Sequence, residues 1–255
     1  MNAMTEAVLL SQRDARGVVT LTLNRPAAFN ALSESLLAAL ARELAALQGD
    51  ESARVLVLAA AGKAFCAGHD LKEMRAQPSA EYYQALFRRC SDVMLALQAL
   101  PLPVIARVQG VATAAGCQLV AMCDMAVAAS TARFAVSGIN LGLFCATPSV
   151  ALVRNVSRKA AFEMLVTGEF ISAEQALERG LVNHVVEPAK LDERLETLIN
   201  CILPKPRDAL ALGKALFYRQ AESSIAAAYT DAAQTMACNM MLPCALDGVQ
   251  GFINK

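Results

Sequence analysis

The first half of the chain alternates short apolar runs with segments whose apolar residues recur every three or four positions. Val18 to Leu23 (VVTLTL) is rich in β-branched residues and predicts a strand. After the turn Asn24-Arg25-Pro26, Ser33 is placed to cap a helix running to about Gln48, with Leu36, Leu37, Leu40, Leu44 and Leu47 on one face. Val55 to Ala60 predicts a buried strand, Glu81 to Leu100 a helix ended by Pro101 and Pro103, and Val104 to Val108 another strand. Val111 to Met122 predicts a helix that opens on small residues, and Met125 to Ala128 a further buried strand. Thr147-Pro148 predicts a cap with a proline at the first helical position, and Ser172 with Gln175 a capping box before a helix that Gly180 stops. Leu181 to Val186 reads as a short strand, and from about Leu191 the pattern is helical, interrupted by Pro204, Pro206 and Pro243. The expectation is an α/β core over residues 1–190 and a helical oligomerisation segment over residues 191–255.

Composition narrows the function. With 255 residues, 56% of them hydrophobic, the chain can bury one large core. Its 23 basic and 23 acidic residues balance, which argues against nucleic-acid or membrane-surface binding, so an anionic ligand must be held by local groups. No uncharged apolar run reaches the roughly 18 residues of a membrane-spanning helix. Met1 to Gly17 carries Glu6, Arg13, Asp14 and Arg16 around a brief apolar stretch, unlike a secretory signal, and a cytoplasmic location is the expectation. The eight cysteines form no CxxC pair and no Cys/His cluster at zinc spacing, so reduced, mostly buried thiols are expected. With only His69 and His184, no metal site or Ser-His-Asp triad is expected either.

Two segments carry candidate chemistry. Phe65-Cys66-Ala67-Gly68-His69-Asp70-Leu71 follows the Val55 strand, where a tight turn exposes backbone N–H groups. Gly110 to Leu119 (GVATAAGCQL) places very small side chains at a strand-to-helix transition, so a ligand can approach the helix amides closely. Two such amides can converge on one oxygen.

These segments resemble the enoyl-CoA hydratase/isomerase, or crotonase, superfamily from about Val18 to the C-terminus. The likeness rests on Asn24-Arg25-Pro26 with Asn30-Ala31-Leu32, on FCAGHDL at Phe65, PVIARVQG at Pro103, AAGCQLVAMCDMAVA at Ala114, and EMLVTGEFISAEQALERGLVNHVV at Glu163, five motifs in the family's order. GVATAAGCQLVA and GINLGLFCATP look most like the subgroup called enoyl-CoA hydratase domain-containing protein 3. The resemblance implies a spiral of stacked ββα turns with a C-terminal helical segment. It also implies an acyl-CoA ligand and an oxyanion hole made by the backbone N–H groups of His69 and Ala115. No permanently bound cofactor is implied; the coenzyme A thioester is substrate or ligand. For CoA the family's pattern points to Ala27, Ala28, Ala67 and Lys72, and to Phe252 and Lys255 reaching across a subunit boundary in a homotrimer or hexamer.

Hydratases of the family use two glutamates, at positions matching Gln118 and Gly138. An amide has no useful proton affinity near neutrality and glycine has no side chain, so ordinary hydration is disfavoured. A carboxylate eight positions beyond Gly138, used by some relatives, is matched by Ala146. Ser137, Asn140, Cys145, the His69 imidazole, Tyr82 and Tyr83 remain as polar groups near the expected pocket. Three readings follow: an enzyme acting on acyl-CoA thioesters (lyase, isomerase or thioester hydrolase) through the oxyanion hole, a non-catalytic acyl-CoA binding protein, and a hydratase as the family name suggests. If the alignment holds, Gln118→Glu combined with Gly138→Glu should raise hydration.

Overall fold

The apolar runs become two interleaved sheets wrapped by helices in a computed structural model that describes residues 7–254. In chain order the elements are β1 (Leu9–Arg13), β2 (Val18–Leu23), α1 (Glu34–Gln48), β3 (Val55–Ala60), β4 (Ala64–Cys66), α2 (Leu71–Ala76) and α3 (Ala80–Ala99). Then come β5 (Val104–Val108), β6 (Val111–Thr113), α4 (Ala115–Met122), β7 (Met125–Ala129), β8 (Arg133–Ala135), α5 (Ala146–Asn155) and α6 (Arg158–Thr167). The chain continues through β9 (Ile171–Ser172), α7 (Ala173–Glu178), β10 (His184–Val186), α8 (Leu191–Ile202), α9 (Arg207–Ala221), α10 (Ile225–Met240) and α11 (Pro243–Ile253).

One sheet has the order β1-β2-β3-β5-β7-β10 and the other β4-β6-β8-β9. Strands β2, β3, β5, β7 and β10 pair in parallel, as do β4, β6 and β8, while β1 and β9 are antiparallel edges. Each turn of chain therefore adds one strand to the large sheet and one to the small sheet before a helix returns it. These are the stacked ββα turns of the expected spiral.

Parallel strands covered on both faces read as continuous apolar runs, and all six residues of β3 are buried. Leu56 and Leu58 face a core shared with α1, α3 and α4, while Val55, Val57 and Ala59 face a second one closed by Leu191, Leu195 and Ile199 of α8. So α8, drawn with the C-terminal segment at 191, packs as part of the sheet core. From α9 onward the helices contribute no buried residue.

Most elements lie where patterning put them, with Ser33 capping α1 through Leu36 N–H and Ser172 with Gln175 forming a capping box on α7. Four expectations are corrected. The stretch before Val18 holds β1, whose sparse apolar content hid it on the sheet edge. Val111 to Met122 is a three-residue strand followed by α4, because Ala114 turns the chain at φ 51°. Helix α5 starts at Ala146, so Pro148 is the third helical residue, still in the turn whose N–H groups need no intrahelical acceptor. Only His184–Val186 of the expected Leu181 strand pairs with β7.

A partly buried polar lock ties α9 to this core. Lys214 Nζ donates to Asp124 Oδ2 at 2.7 Å and to the carbonyls of Leu97 (3.1 Å) and Leu102 (3.0 Å), using all three ammonium protons. Asp124 also accepts from Tyr218 Oη at 2.7 Å and from Val104 N–H at 2.6 Å. Lys214→Ala leaves that carboxylate without its cation and is expected to cost about 3 kcal/mol, read as a lowered urea midpoint; an unchanged midpoint contradicts it.

Candidate active site

The site forms where the loop after β4 meets the start of α4. Gly68 sits at φ +89°, and a Cβ there would lie 2.8 Å from Ala114 Cβ and 3.3 Å from Ala115 N. Only glycine takes both the conformation and the contact. On the other side, a Cβ at Gly116 would lie 2.1 Å from the Cys66 carbonyl oxygen, so helix and loop touch backbone to backbone.

This packing leaves two amides unengaged. His69 makes an isolated parallel bridge with Leu32, in which Leu32 N–H donates to Gly68 O and Asp70 N–H donates to Leu32 O. The N–H of His69 points the other way and, among the described residues, donates to no backbone carbonyl. Ala115 is the first residue of α4, where an N–H has no partner within the helix. Ala114, at φ 51° and ψ −122°, is held there by its N–H to Ala135 O at 3.0 Å, a strained conformation worth about 1–3 kcal/mol.

His69 and Ala115 both line a cavity of about 210 Å³, together with Ala67, Leu71, Met74, Phe87, Ser137, Gly138, Leu141, Leu143, Phe144, Cys145 and Pro148. Sequence patterning gives no sign that Met74, Phe87 and Leu143 meet there, since they come from three separate elements. A larger apolar groove of about 750 Å³ lies on α5 and α6 and shares only Phe144 with this cavity. It lacks the convergent amides. Among the described residues, no Asp, Glu, Lys or Arg lines the 210 Å³ cavity.

The expected side-chain groups fare unevenly. Gln118 is 5% exposed with an unpartnered Oε1 and does not line the cavity, one turn along α4 from Ala115. Gly138 does line it, but the chain has closed around it: a Cβ would lie 2.5 Å from Leu143 O and 2.8 Å from Cys145 Sγ. The Gly138 carbonyl accepts from Leu143 N–H at 3.0 Å. Burial pushes the Cys145 thiol up, so it is a protonated thiol at neutral pH. Ser137 Oγ lies 2.8 Å from Thr113 Oγ1, Tyr82 Oη donates to Glu34 and Tyr83 Oη to the Met74 carbonyl, and Asn140 binds the Gly168 carbonyl. The His69 imidazole packs edge-on against Phe87 at 5.3 Å with neither nitrogen partnered, and burial pushes it down to about 4.

Of the residues expected around CoA, Ala67 lines this cavity and none of the other described ones does. Ala27 and Ala28 form a 3-10 turn (Pro26–Ala28), tied to the site because Ala67 N–H donates to Phe29 O at 3.0 Å. Arg25 pairs with Asp70 at 2.9 Å, and Asp70 caps α2 through the N–H groups of Lys72 and Glu73. Buried Asn30 accepts from Arg25 N–H and donates to the carbonyls of Ala61 and Ala64. Lys72 is exposed outside the cavity. Phe252 is 79% exposed on α11 and lines no part of the cavity, and Lys255 falls outside the described residues.

The spiral of stacked ββα turns with its C-terminal helices is the fold of the crotonase class. The enoyl-CoA hydratase/isomerase family profile matches residues 13–255, and the chain belongs to that family. It is 42% identical over 251 residues to enoyl-CoA hydratase domain-containing protein 3 of Rattus norvegicus, covering 98% of this chain and 84% of the relative. Among solved structures, an enoyl-CoA hydratase of Mycobacterium smegmatis superposes with TM-score 0.97 at 69% identity, covering 98% and 97% of the two chains. Human enoyl-CoA hydratase domain-containing protein 3 superposes with TM-score 0.93 at 40% identity, covering 97% of each. The cytoplasmic location expected from the N-terminal residues is overturned by the curated relatives from rat, mouse, Xenopus laevis and human, each named mitochondrial.

Two outcomes are expected from this geometry. Gly138→Glu forces Leu143 and Cys145 apart, so the substitution, alone or with Gln118→Glu, should lower the melting temperature by the equivalent of about 1–3 kcal/mol and leave crotonyl-CoA hydration unraised; faster hydration in a stable protein contradicts it. This replaces the gain expected from sequence. For His69, the unfolded imidazole binds a proton below its ordinary value of 6.5 and the folded one only near 4, so stability rises with pH through that window. The effect is complete above about 6.5, is lost as pH falls to about 4, and amounts to about 3 kcal/mol. His184 is also lowered by burial and by Arg194, with the same sign, so denaturation of His69→Phe beside the parent isolates the His69 share. Parallel stability profiles for the two proteins count against the neutral, buried imidazole.

Proposed function

We propose that this chain binds acyl-CoA thioesters with the carbonyl oxygen between the His69 and Ala115 N–H groups, and polarises that carbonyl without a side-chain carboxylate at the reacting carbons. The observation that carries this reading is one cavity holding two backbone donors and, among the described residues, no acidic lining residue. Donors placed where negative charge develops contribute roughly 3 kcal/mol each. A missing general acid or base removes about 10²–10⁴ in rate. Proton transfer then falls to water or to the substrate itself, so the reading favours thioester activation over two-carboxylate hydration.

On this reading the CoA phosphates and adenine fall to the exposed Lys72 and to the Pro26–Ala28 turn, which is joined to the cavity-lining Ala67 through its N–H to Phe29 O. Phe217, Ile225, Tyr229, Met236, Met241 and Phe252 leave an apolar face uncovered on α9 to α11. A face of that extent suits a symmetric subunit contact, and a trimer or a pair of trimers would bring Phe252 of one copy toward the CoA of another.

The test is calorimetric titration with CoA and its esters, with turnover followed in parallel. Acyl-CoA should bind more tightly than CoA, and crotonyl-CoA hydration should run at about 1% or less of the rate of a relative bearing both glutamates. Failure to bind any ester overturns the reading, and hydration within tenfold of such a relative shows that a carboxylate has been overlooked. Binding with no turnover of any thioester favours the non-catalytic form, for which the neutral His69 and the protonated Cys145 already speak.

A further inference from the structure

We infer that the cavity selects uncharged, apolar acyl groups and rejects acyl groups ending in a carboxylate; the inference rests on the thioester reading above. Its volume, about 210 Å³, is smaller than the roughly 300–1,000 Å³ that encloses a whole drug-sized ligand. It therefore encloses the acyl end and leaves the nucleotide outside. Beyond the two amides, the walls are Leu71 and Met74 of α2, Phe87 of α3, and Leu141, Leu143 and Phe144 of the loop before α5. Leu71, Leu141, Leu143 and Phe144 are also exposed on the outer surface, so the apolar lining runs from the amides to the cavity mouth.

No cation meets an acyl tail on this path. Among the described residues no Lys or Arg lines it, and the His69 imidazole, pushed down to about 4, is neutral at physiological pH. The other polar side chains on the wall are Ser137, already bonded to Thr113, the thiol of Cys145, and Thr147. None offsets a carboxylate taken out of water, and an unpaired buried charge is strongly disfavoured. A methylene group buried there is favoured by roughly fourfold in affinity.

Titration of the full chain with CoA, butyryl-, hexanoyl-, octanoyl- and adipyl-CoA tests this. Octanoyl-CoA should bind at least about tenfold more tightly than butyryl-CoA, and adipyl-CoA at least about tenfold more weakly than hexanoyl-CoA. Met74→Lys places a flexible cation on the wall and should move the hexanoyl-to-adipyl ratio at least about tenfold toward adipyl. Leu141→Arg, at a side chain 69% exposed on the rim, makes the same shift without disturbing the core. Adipyl-CoA binding as tightly as hexanoyl-CoA overturns the selectivity while leaving thioester binding intact, as does an unchanged ratio in both folded variants. Absence of binding by every CoA ester overturns both.

Discussion

The site depends on one steric constraint, the contact of the loop at Gly68 with the first turn of α4. A hydrogen atom is all that fits at Gly68 against Ala114, and all that fits at Gly116 against the Cys66 carbonyl. The two backbones touch, His69 and Ala115 line one cavity, and neither N–H is taken up by a backbone carbonyl among the described residues. The surroundings hold this arrangement: Asn30 bridges to the carbonyls on either side of the β3–β4 turn, Arg25 pairs with Asp70, and Asp70 caps α2. Ala114 carries the backbone strain of the junction.

The lack of charge in the cavity is equally structural. The segment from Ser137 to Cys145 folds tightly on itself, with the Gly138 carbonyl accepting from Leu143 N–H. The space a side chain at Gly138 would need is taken by a carbonyl and a thiol. Gln118 lies buried behind the cavity wall. With His69 neutral and the Cys145 thiol protonated, the walls present backbone dipoles and apolar surface and no formal charge. Such surroundings strengthen a hydrogen bond to a developing oxyanion and offer nothing that moves a proton.

Much of this was legible in the sequence. Continuous apolar strands, the Ser33 and Ser172 caps and the small-residue approach to α4 are local signals, and each sits where its chemistry demands. The motifs also picked out His69, Ala115 and Gly138, which line one cavity, whereas Gln118 does not reach it. The β1 edge strand, the early start of α5 and the place of α8 in the sheet core did not show, because they depend on partners distant in the chain. Nor did the cavity wall, which is assembled from α2, α3 and the loop before α5, or the Lys214–Asp124 lock, which joins residues 90 positions apart in the chain. The closure around Gly138 was hidden for a further reason: glycine reads as an absence, whereas here it marks a contact.

Polarisation of a bound thioester is most directly seen in the carbonyl itself. An isotope-edited infrared difference spectrum of an acyl-CoA labelled with carbon-13 at the thioester carbonyl should show its stretching band moved to lower frequency on binding, and the shift should vanish in Gly68→Ala. A band that stays at its aqueous frequency while the ligand is bound would mean that the His69 and Ala115 amides do not hold that oxygen.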